Sequence, residues 1–214
     1  MIHHYINLVC WREMLTIYNP KRDFVWVDSY ILHVLVRRYR CTVAYKPGTS
    51  ILGAVGKDNS NLNGWFFFTA VTAYNLPENI QVELPFLKQI LLPDNVKQAL
   101  QSLPAGTRVG LGISAPKQNH LAVAMHLIRP DLEYHCLGAS IDLYNKNLAK
   151  AQKKASVLSG TGFEWVWFLI QSPRRTSYKI ILTICEAFKV TSINASRKRF
   201  IEFVSICKKN TNET

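Results

Sequence analysis

The 214-residue sequence lacks the patterns that predict disulfide bonds, zinc sites or membrane spans. Its five cysteines form no Cys-x-x-Cys pair, so neither a disulfide framework nor a zinc site of the usual spacing is predicted. We expect reduced, mostly buried thiols in a cytosolic protein. No apolar run reaches about 18 residues, and the N-terminus has no charged segment before a long apolar run. The sequence therefore predicts neither a membrane span nor a signal peptide.

Acidic residues are also scarce, most of all in the last third of the chain. The formal charge is +12 and the isoelectric point is near 9.6. From Lys146 onward there are 13 basic residues against four acidic ones, with aromatic and aliphatic residues between them. Such a balance favours an anionic partner: nucleotide phosphates, lipid headgroups or nucleic acid. Basic amphipathic helices suit a membrane interface, but a helix packed on the domain with a solvated basic face fits equally well. Single-stranded nucleic acid is the least favoured partner.

Short apolar strands alternate with helical patterns along the rest of the chain. The predicted strands cover 4–9, 24–28, 64–71, 107–111 and 133–137. The predicted helices cover 11–17, 29–38, 83–92, 94–103 and 120–128, with Asp94 as the cap of the fourth. This alternation predicts an α/β, Rossmann-like fold, in which a mostly parallel sheet has helices on both faces. We expect this core to span 1–145 and a basic helical appendage to span 146–214.

The segment Gly110-Leu-Gly-Ile-Ser-Ala-Pro-Lys-Gln-Asn119 joins a predicted strand to a helix. Glycines allow close approach of the backbone to a ligand, and Pro116 suits a first helical turn. Because helix N-termini attract phosphate, Lys117 and Gln118 are candidate ligand contacts. The alternative is a strand-to-helix turn without a ligand.

Two further polar residues lie at or within predicted strands. Asp28 ends a strand at the edge where open α/β sheets bind ligands, although either it or Ser29 could instead cap the next helix. His135 lies inside a strand pattern. Since no second metal-type residue accompanies it, we interpret it as a core or edge histidine, and no metal site is predicted.

Four ordered motifs stand out: Val25-Trp-Val-Asp28, Gly110 to Gln118, Cys136-Leu-Gly-Ala-Ser-Ile-Asp142, and Gly162-Phe-Glu-Trp165 followed by Gln171-Ser-Pro-Arg-Arg175. Together they resemble the WecG/TagA/CpsF family of glycosyltransferases. The sequence departs from the family pattern at Ser29, where glycine is usual, and at Asn119, where glutamate is usual. A threonine usually found near the family's first strand is absent, although Asn7 is kept.

The resemblance implies an inverting, UDP-sugar-dependent hexosyltransferase that acts on a polyprenyl-diphosphate-linked sugar in cell-surface polysaccharide biosynthesis. It implies Asp28 as the general base and Arg174 and Arg175 as the diphosphate ligands. The donor-binding residues it implies are Asn7, Lys46 (or Arg40 in its place), Gly112, Lys117, Gln118, Gly138 and Asp142. No DxD pair lies on a predicted loop, so metal-independent transfer without a cofactor is expected.

The same resemblance places the protein in the cytoplasm, peripherally at the inner face of the cell membrane, with the basic C-terminus on the membrane surface. A homo-oligomer is left open and no nucleic-acid partner is expected. A catalytically impaired relative that binds nucleotide sugar or membrane is the alternative function.

Overall fold

Six parallel strands form a single sheet in a computed structural model of the chain. The structure describes residues 1–41, 62–70, 76, 80–84, 92–138, 140–141, 170 and 173–212. The strands are β1 (Ile2–Ile6), β2 (Asp23–Val27), β3 (Trp65–Thr69), β4 (Gln81–Glu83), β5 (Arg108–Gly112) and β6 (Glu133–Cys136). Their order is β2-β1-β6-β5-β3-β4. The predicted α/β, Rossmann-like fold class is confirmed.

The described helices surround this sheet and continue into the C-terminal part of the chain. They are α1 (Trp11–Ile17), α2 (Tyr30–Arg38), α3 (Asp94–Ser102), α4 (Lys117–Ile128), α5 (Pro173–Ser192) and α6 (Asn194–Asn212). A basic helical C-terminal part was expected, and α5 and α6 are helices of that part. None of the helices in the described ranges is long and apolar enough to cross a membrane.

Local signals explain where these helices begin. Ser29 caps α2, since its hydroxyl accepts a hydrogen bond from the Leu32 N–H at 3.2 Å. The helix α3 follows Pro93, so the prediction that Asp94 is its cap was wrong by one position. In the first turn, the Asp94 carboxylate still stabilises α3 by its interaction with the helix dipole. The helix α4 begins at Lys117, three residues earlier than predicted, with Pro116 as its N-cap.

Two strands differ from their predicted limits. We expected β1 over 4–9, but it ends at Ile6 because Asn7 starts a turn. Strand β4 was not predicted, since a helix was expected from 83; residues 85–91 of that expected helix lie outside the described part of the chain.

Alternation along the strands divides the core between two faces of the sheet. Ile6, Val25 and Val27 pack with α1, α2 and α6 in one cluster. Val109 and Leu111 pack with α3 and α4 in a second. The odd-numbered residues of β1 point to the opposite face of the sheet, where Tyr5 belongs to a third cluster.

The last helix contributes directly to this core. Phe200 and Phe203 of α6 are fully buried, and the Phe200 ring meets the Trp11 ring edge-on at 5.2 Å. Val190 of α5 is buried in the same cluster. The division into 1–145 and 146–214 stays a prediction, because its boundary lies outside the described ranges. The structure adds that the end of the chain shares a hydrophobic core with β1 and β2.

The five cysteines are free, and all but Cys185 are buried. The predicted set of mostly buried thiols without a disulfide is therefore confirmed.

Candidate functional site

The carboxyl edge of the sheet brings together residues from four neighbouring strands. Asn7 follows β1, Asp28 follows β2, Gly112 ends β5, and Gly138 lies just beyond β6. The Asp28 N–H donates to the Ile6 carbonyl at 2.9 Å, which holds the ends of β1 and β2 side by side. This is the edge at which parallel α/β sheets bind their ligands.

Asp28 is half-buried and is not the cap of the helix that follows it. Because Ser29 has that role, the capping alternative for Asp28 is removed. The Asp28 charge acts on neighbouring side chains: with burial as the main cause, it helps to raise the pKa of Tyr5 and that of Cys10. The Asp28 carboxylate therefore lies at the edge where the sheet would bind a ligand.

Asn7 organises the turn between β1 and α1. Its Oδ1 accepts hydrogen bonds from the N–H groups of Val9 at 3.0 Å and Cys10 at 3.3 Å. The Cys10 thiol donates to the same oxygen at 3.2 Å. Burial raises the pKa of Cys10 to about 11, so the thiol is protonated at neutral pH and is not a nucleophile. The side-chain oxygen of Asn7 thus already has a structural role.

The glycines of the Gly-Leu-Gly segment lie inside β5, and side chains of the protein occupy the space beside them. A Cβ at Gly110 would lie 2.5 Å from Phe67 Cδ1, and one at Gly112 would lie 2.7 Å from Ile141 Cγ2. We expected the glycines to admit a ligand. Instead, packing against Phe67 and Ile141 accounts for the missing side chain at both positions.

Gly138 and Gln118 contact each other at the beginning of α4. Gly138 has a φ of +53°, in the region that favours glycine, and a Cβ there would lie 3.4 Å from the Gln118 amide. Gln118 is 2% exposed, and among the described residues its Oε1 has no hydrogen-bond partner. Buried polar atoms of this kind are unusual and often mark a site completed by another group. Lys117, one residue earlier, is exposed.

Asn119 belongs to a buried polar chain rather than to the edge itself. Its Nδ2 lies 2.9 Å from His4 Nδ1, and His4 Nε2 lies 3.6 Å from Asp23 Oδ1. Arg22 donates two hydrogen bonds to the Asp23 carboxylate, at 2.6 and 2.8 Å. Burial lowers the pKa of His4, which keeps the ring neutral. Asparagine at this position therefore fixes the start of α4 to β1.

The structure describes only some of the remaining residues that the sequence predicted for the site. Arg174 is exposed in the first turn of α5, while the side chain of Arg175 is not described. Glu186, further along α5, accepts from Arg12 of α1 at 3.0 Å, which attaches the middle of this helix to the domain. Lys46 and Asp142 lie outside the described residues. Arg40 is exposed just after α2, with a φ of 55°.

A second polar cluster, which was not predicted, lies at the opposite, amino-terminal edge of the sheet. His3 Nε2 and His135 Nε2 each lie 3.0 Å from the same oxygen, Oε1 of Glu133. The two imidazole rings are stacked with centroids 4.6 Å apart. The premise that no metal-type residue accompanies His135 was wrong.

Only part of this His3–Glu133–His135 cluster could have been predicted from the sequence. Glu133-x-His135 places two side chains on one face of a strand, which alternation could have shown. The pairing of His3 with His135 depends on the register of β1 against β6, which brings together residues far apart in the sequence.

Comparisons with protein-family models, with curated proteins and with solved structures found no match to this chain.

Proposed function

We propose that this protein is an inverting glycosyltransferase with Asp28 as its general base. The observation that supports this best is the position of Asp28: a half-buried carboxylate at the carboxyl edge of a parallel sheet, at the end of β2 and beside the end of β1. Ser29 supplies the helix cap, so capping does not explain the carboxylate. The resemblance of the four ordered motifs to the family supports a UDP-sugar as the donor and a polyprenyl-diphosphate-linked sugar as the acceptor.

The proposed reaction is a direct displacement. The acceptor hydroxyl oxygen attacks the anomeric carbon of the donor sugar while Asp28 takes the hydroxyl proton. The bond from that carbon to the β-phosphate oxygen breaks, and UDP leaves with the electron pair. A well-placed general base contributes roughly 10²–10⁴-fold to such a step.

The departing diphosphate carries the negative charge that develops during the reaction. Guanidinium groups stabilise such charge by paired hydrogen bonds, which is the role proposed for Arg174 and Arg175 without a metal ion. Gln118 is the proposed contact of the donor, since its buried Oε1 has no partner among the described residues. Lys117, exposed at the start of α4, supplies further positive charge.

The test combines a screen of UDP-sugars with two matched substitutions. Asp28→Asn should abolish transfer while UDP binding, measured by calorimetry, stays unchanged. Asp94→Asn is the control, because its carboxylate is 91% exposed in α3, which follows β4 at the other end of the sheet from β2. Turnover that survives Asp28→Asn would exclude Asp28 as the base. UDP binding without transfer from any donor would instead favour the catalytically impaired relative.

We also propose that α5 brings the site to the cytoplasmic face of the membrane, where a lipid-linked acceptor resides. Four apolar side chains of α5 share one side of the helix and are 58–65% exposed: Tyr178, Ile181, Ile184 and Phe188. Exposed cations, Arg174 and Lys179, lie on the same helix. An apolar stripe with basic neighbours is typical of helices that lie in the membrane interface.

Vesicle sedimentation tests this part separately. We expect binding to vesicles with anionic lipid and weaker binding to neutral vesicles, because each basic residue adds about 1 kcal/mol near an anionic surface. Ile181→Ser with Phe188→Ser should reduce binding, whereas Leu127→Ser on α4, where Leu127 is 77% exposed, should not. Equal binding by all three proteins would exclude α5 as the contact. Self-association that these serine variants abolish would instead assign the stripe to a homo-oligomer.

A further inference from the structure

The cluster of His3, Glu133 and His135 has the composition of a transition-metal site. Each residue offers one ligand atom, and these three atoms all lie within 4.8 Å of one another. Two imidazole nitrogens and a carboxylate oxygen form a ligand set that Zn²⁺ and related ions accept. The cluster lies at the amino-terminal edge of the sheet, away from the proposed glycosyl-transfer site.

The fold itself imposes this convergence. His3 of β1 is the register partner of His135 of β6, and Glu133 precedes His135 by two residues on the same face. Parallel pairing of the two strands therefore sets all three side chains on one surface of the sheet. Neighbouring strands are rigid supports, which is the arrangement that a precise ligand set needs.

The distances between the three ligand atoms suit a central ion. Ligands about 2.0–2.1 Å from a tetrahedral ion lie about 3.3 Å from each other, and here both Nε2 atoms lie 3.0 Å from Glu133 Oε1. Yet neither nitrogen makes a hydrogen bond of acceptable geometry within the described part of the chain. Both are buried, and His135 is only 6% exposed. The two Nε2 atoms and Oε1 are thus close enough to share one ion, toward which the stacked rings would have to turn.

The surroundings allow entry of an ion and restrain the rings. The side chain of Glu133 is 36% exposed and that of His3 is 14% exposed, so an ion can reach the cluster from the side of the carboxylate. The Tyr5 hydroxyl lies 3.2 Å from His135 Nδ1, where it can accept the proton that this nitrogen carries when Nε2 binds a metal. Arg108 lies 3.9 Å from the other carboxylate oxygen, Oε2, which leaves Oε1 for the ion.

One neighbour opposes metal binding in its present position. The Trp26 indole N–H donates to His3 Nδ1 at 3.1 Å. Indole can only donate, so this contact requires the neutral ring to carry its proton on Nε2. Metal binding at His3 Nε2 moves the proton to Nδ1 and breaks the bond from Trp26.

We propose that His3, Glu133 and His135 form a binding site for a divalent transition metal of the Zn²⁺ class, which joins β1 to β6 at the amino-terminal edge of the sheet. Water would complete the coordination of the ion. This inference does not depend on the proposed glycosyl transfer.

The test uses the full-length protein, freed of metal by a chelator and titrated with Zn²⁺ by calorimetry and with Co²⁺ by visible absorption. We expect one ion per chain and a rise in melting temperature with added Zn²⁺. Glu133→Gln and His135→Gln should each weaken binding at least tenfold. The matched control is His120→Gln, because His120 also lies beside a carboxylate, Glu13, at 3.4 Å.

Trp26→Phe distinguishes a ligand role for His3 from a structural one. It should tighten Zn²⁺ binding about two- to tenfold, because the competing hydrogen bond is gone, while a purely structural network would only lose stability. Since His135 is buried and its variant could misfold, the more exposed Glu133→Gln keeps the test decisive. Absence of stoichiometric binding, or equal affinity in wild type and Glu133→Gln, would overturn the proposal. Weaker binding by Trp26→Phe would remove His3 Nε2 from the ligand set.

Discussion

The packing of Gly112 against Ile141 predicts a strong energetic coupling between these two positions. In Gly112→Ala the new Cβ would lie 2.7 Å from Ile141 Cγ2 and 3.1 Å from its Cδ1. Overpacking of this kind costs about 1–3 kcal/mol. Removing a glycine from a strand returns about 0.5–1 kcal/mol of that cost. The expected net loss in the free energy of unfolding is about 1–2 kcal/mol.

Removing the Ile141 side chain should reverse the sign of the effect of Gly112→Ala on the free energy of unfolding. Ile141→Ala alone costs about 2–5 kcal/mol, because it leaves a cavity in a fully buried site. In that background Gly112→Ala meets only the Cβ, at the ordinary distance of 3.4 Å. It should then be neutral or stabilising by about 0.5–1 kcal/mol, which gives a coupling energy of about 2 kcal/mol.

Urea unfolding of the four proteins, followed by tryptophan fluorescence and far-UV circular dichroism, measures this cycle. Equal costs of Gly112→Ala in the two backgrounds would refute the packing explanation. Calorimetry with UDP supplies the contrasting outcome: full stability with loss of UDP binding would mean that the glycine admits the donor instead.

Three other predictions concern the core, pH and the first turn. Phe203→Ala should lower the free energy of unfolding by about 3–5 kcal/mol in one cooperative urea transition; a separate transition for the C-terminal helices would contradict a shared core. Although burial opposes it, the hydrogen bonds from Arg22 and the nearby His4 ring, 3.6 Å away, lower the pKa of Asp23 from 3.8 to about 2. This stabilisation is present above the pKa of Asp23 in the unfolded chain and is lost as pH falls through its pKa in the folded protein. The free energy of unfolding of wild type should therefore fall by about 2 kcal/mol between about pH 4 and 2. Urea unfolding of Asp23→Asn at a series of acidic pH values should show a flatter dependence of this free energy on pH. Asn7→Ala should cost about 1 kcal/mol in thermal unfolding and Asn7→Asp much less; equal losses would show that Oδ1 is not the stabilising atom.

Much of the local structure could be predicted because its determinants are local. The limits of α1 and the hydroxyl cap at Ser29 follow from residues within one turn of each helix. Glycines and prolines near β5 and α4 marked a strand-to-helix connection correctly. The predicted cap, Asp94, was wrong by one residue, because Pro93 is the cap. The local sequence pattern does not distinguish these two positions.

The contacts that give these residues their surroundings were not predictable in the same way. Parallel strands are joined by long crossovers, so their neighbours are chosen by packing of distant segments rather than by adjacent residues. Ile141 beside Gly112 and Phe203 beside Trp11 both result from such packing.

The amino-acid sequence thus determined the alternation of strands and helices, the basic C-terminus and the carboxylate at the end of β2, because periodicity, charge and turn residues act over short distances. Only the tertiary structure decided that β1 lies between β2 and β6. That order places Asp28 beside Asn7 at one edge and pairs His3 with His135 at the other. Since strand order and register arise from burial of whole faces of the sheet, neither pairing is encoded near the residues that it joins.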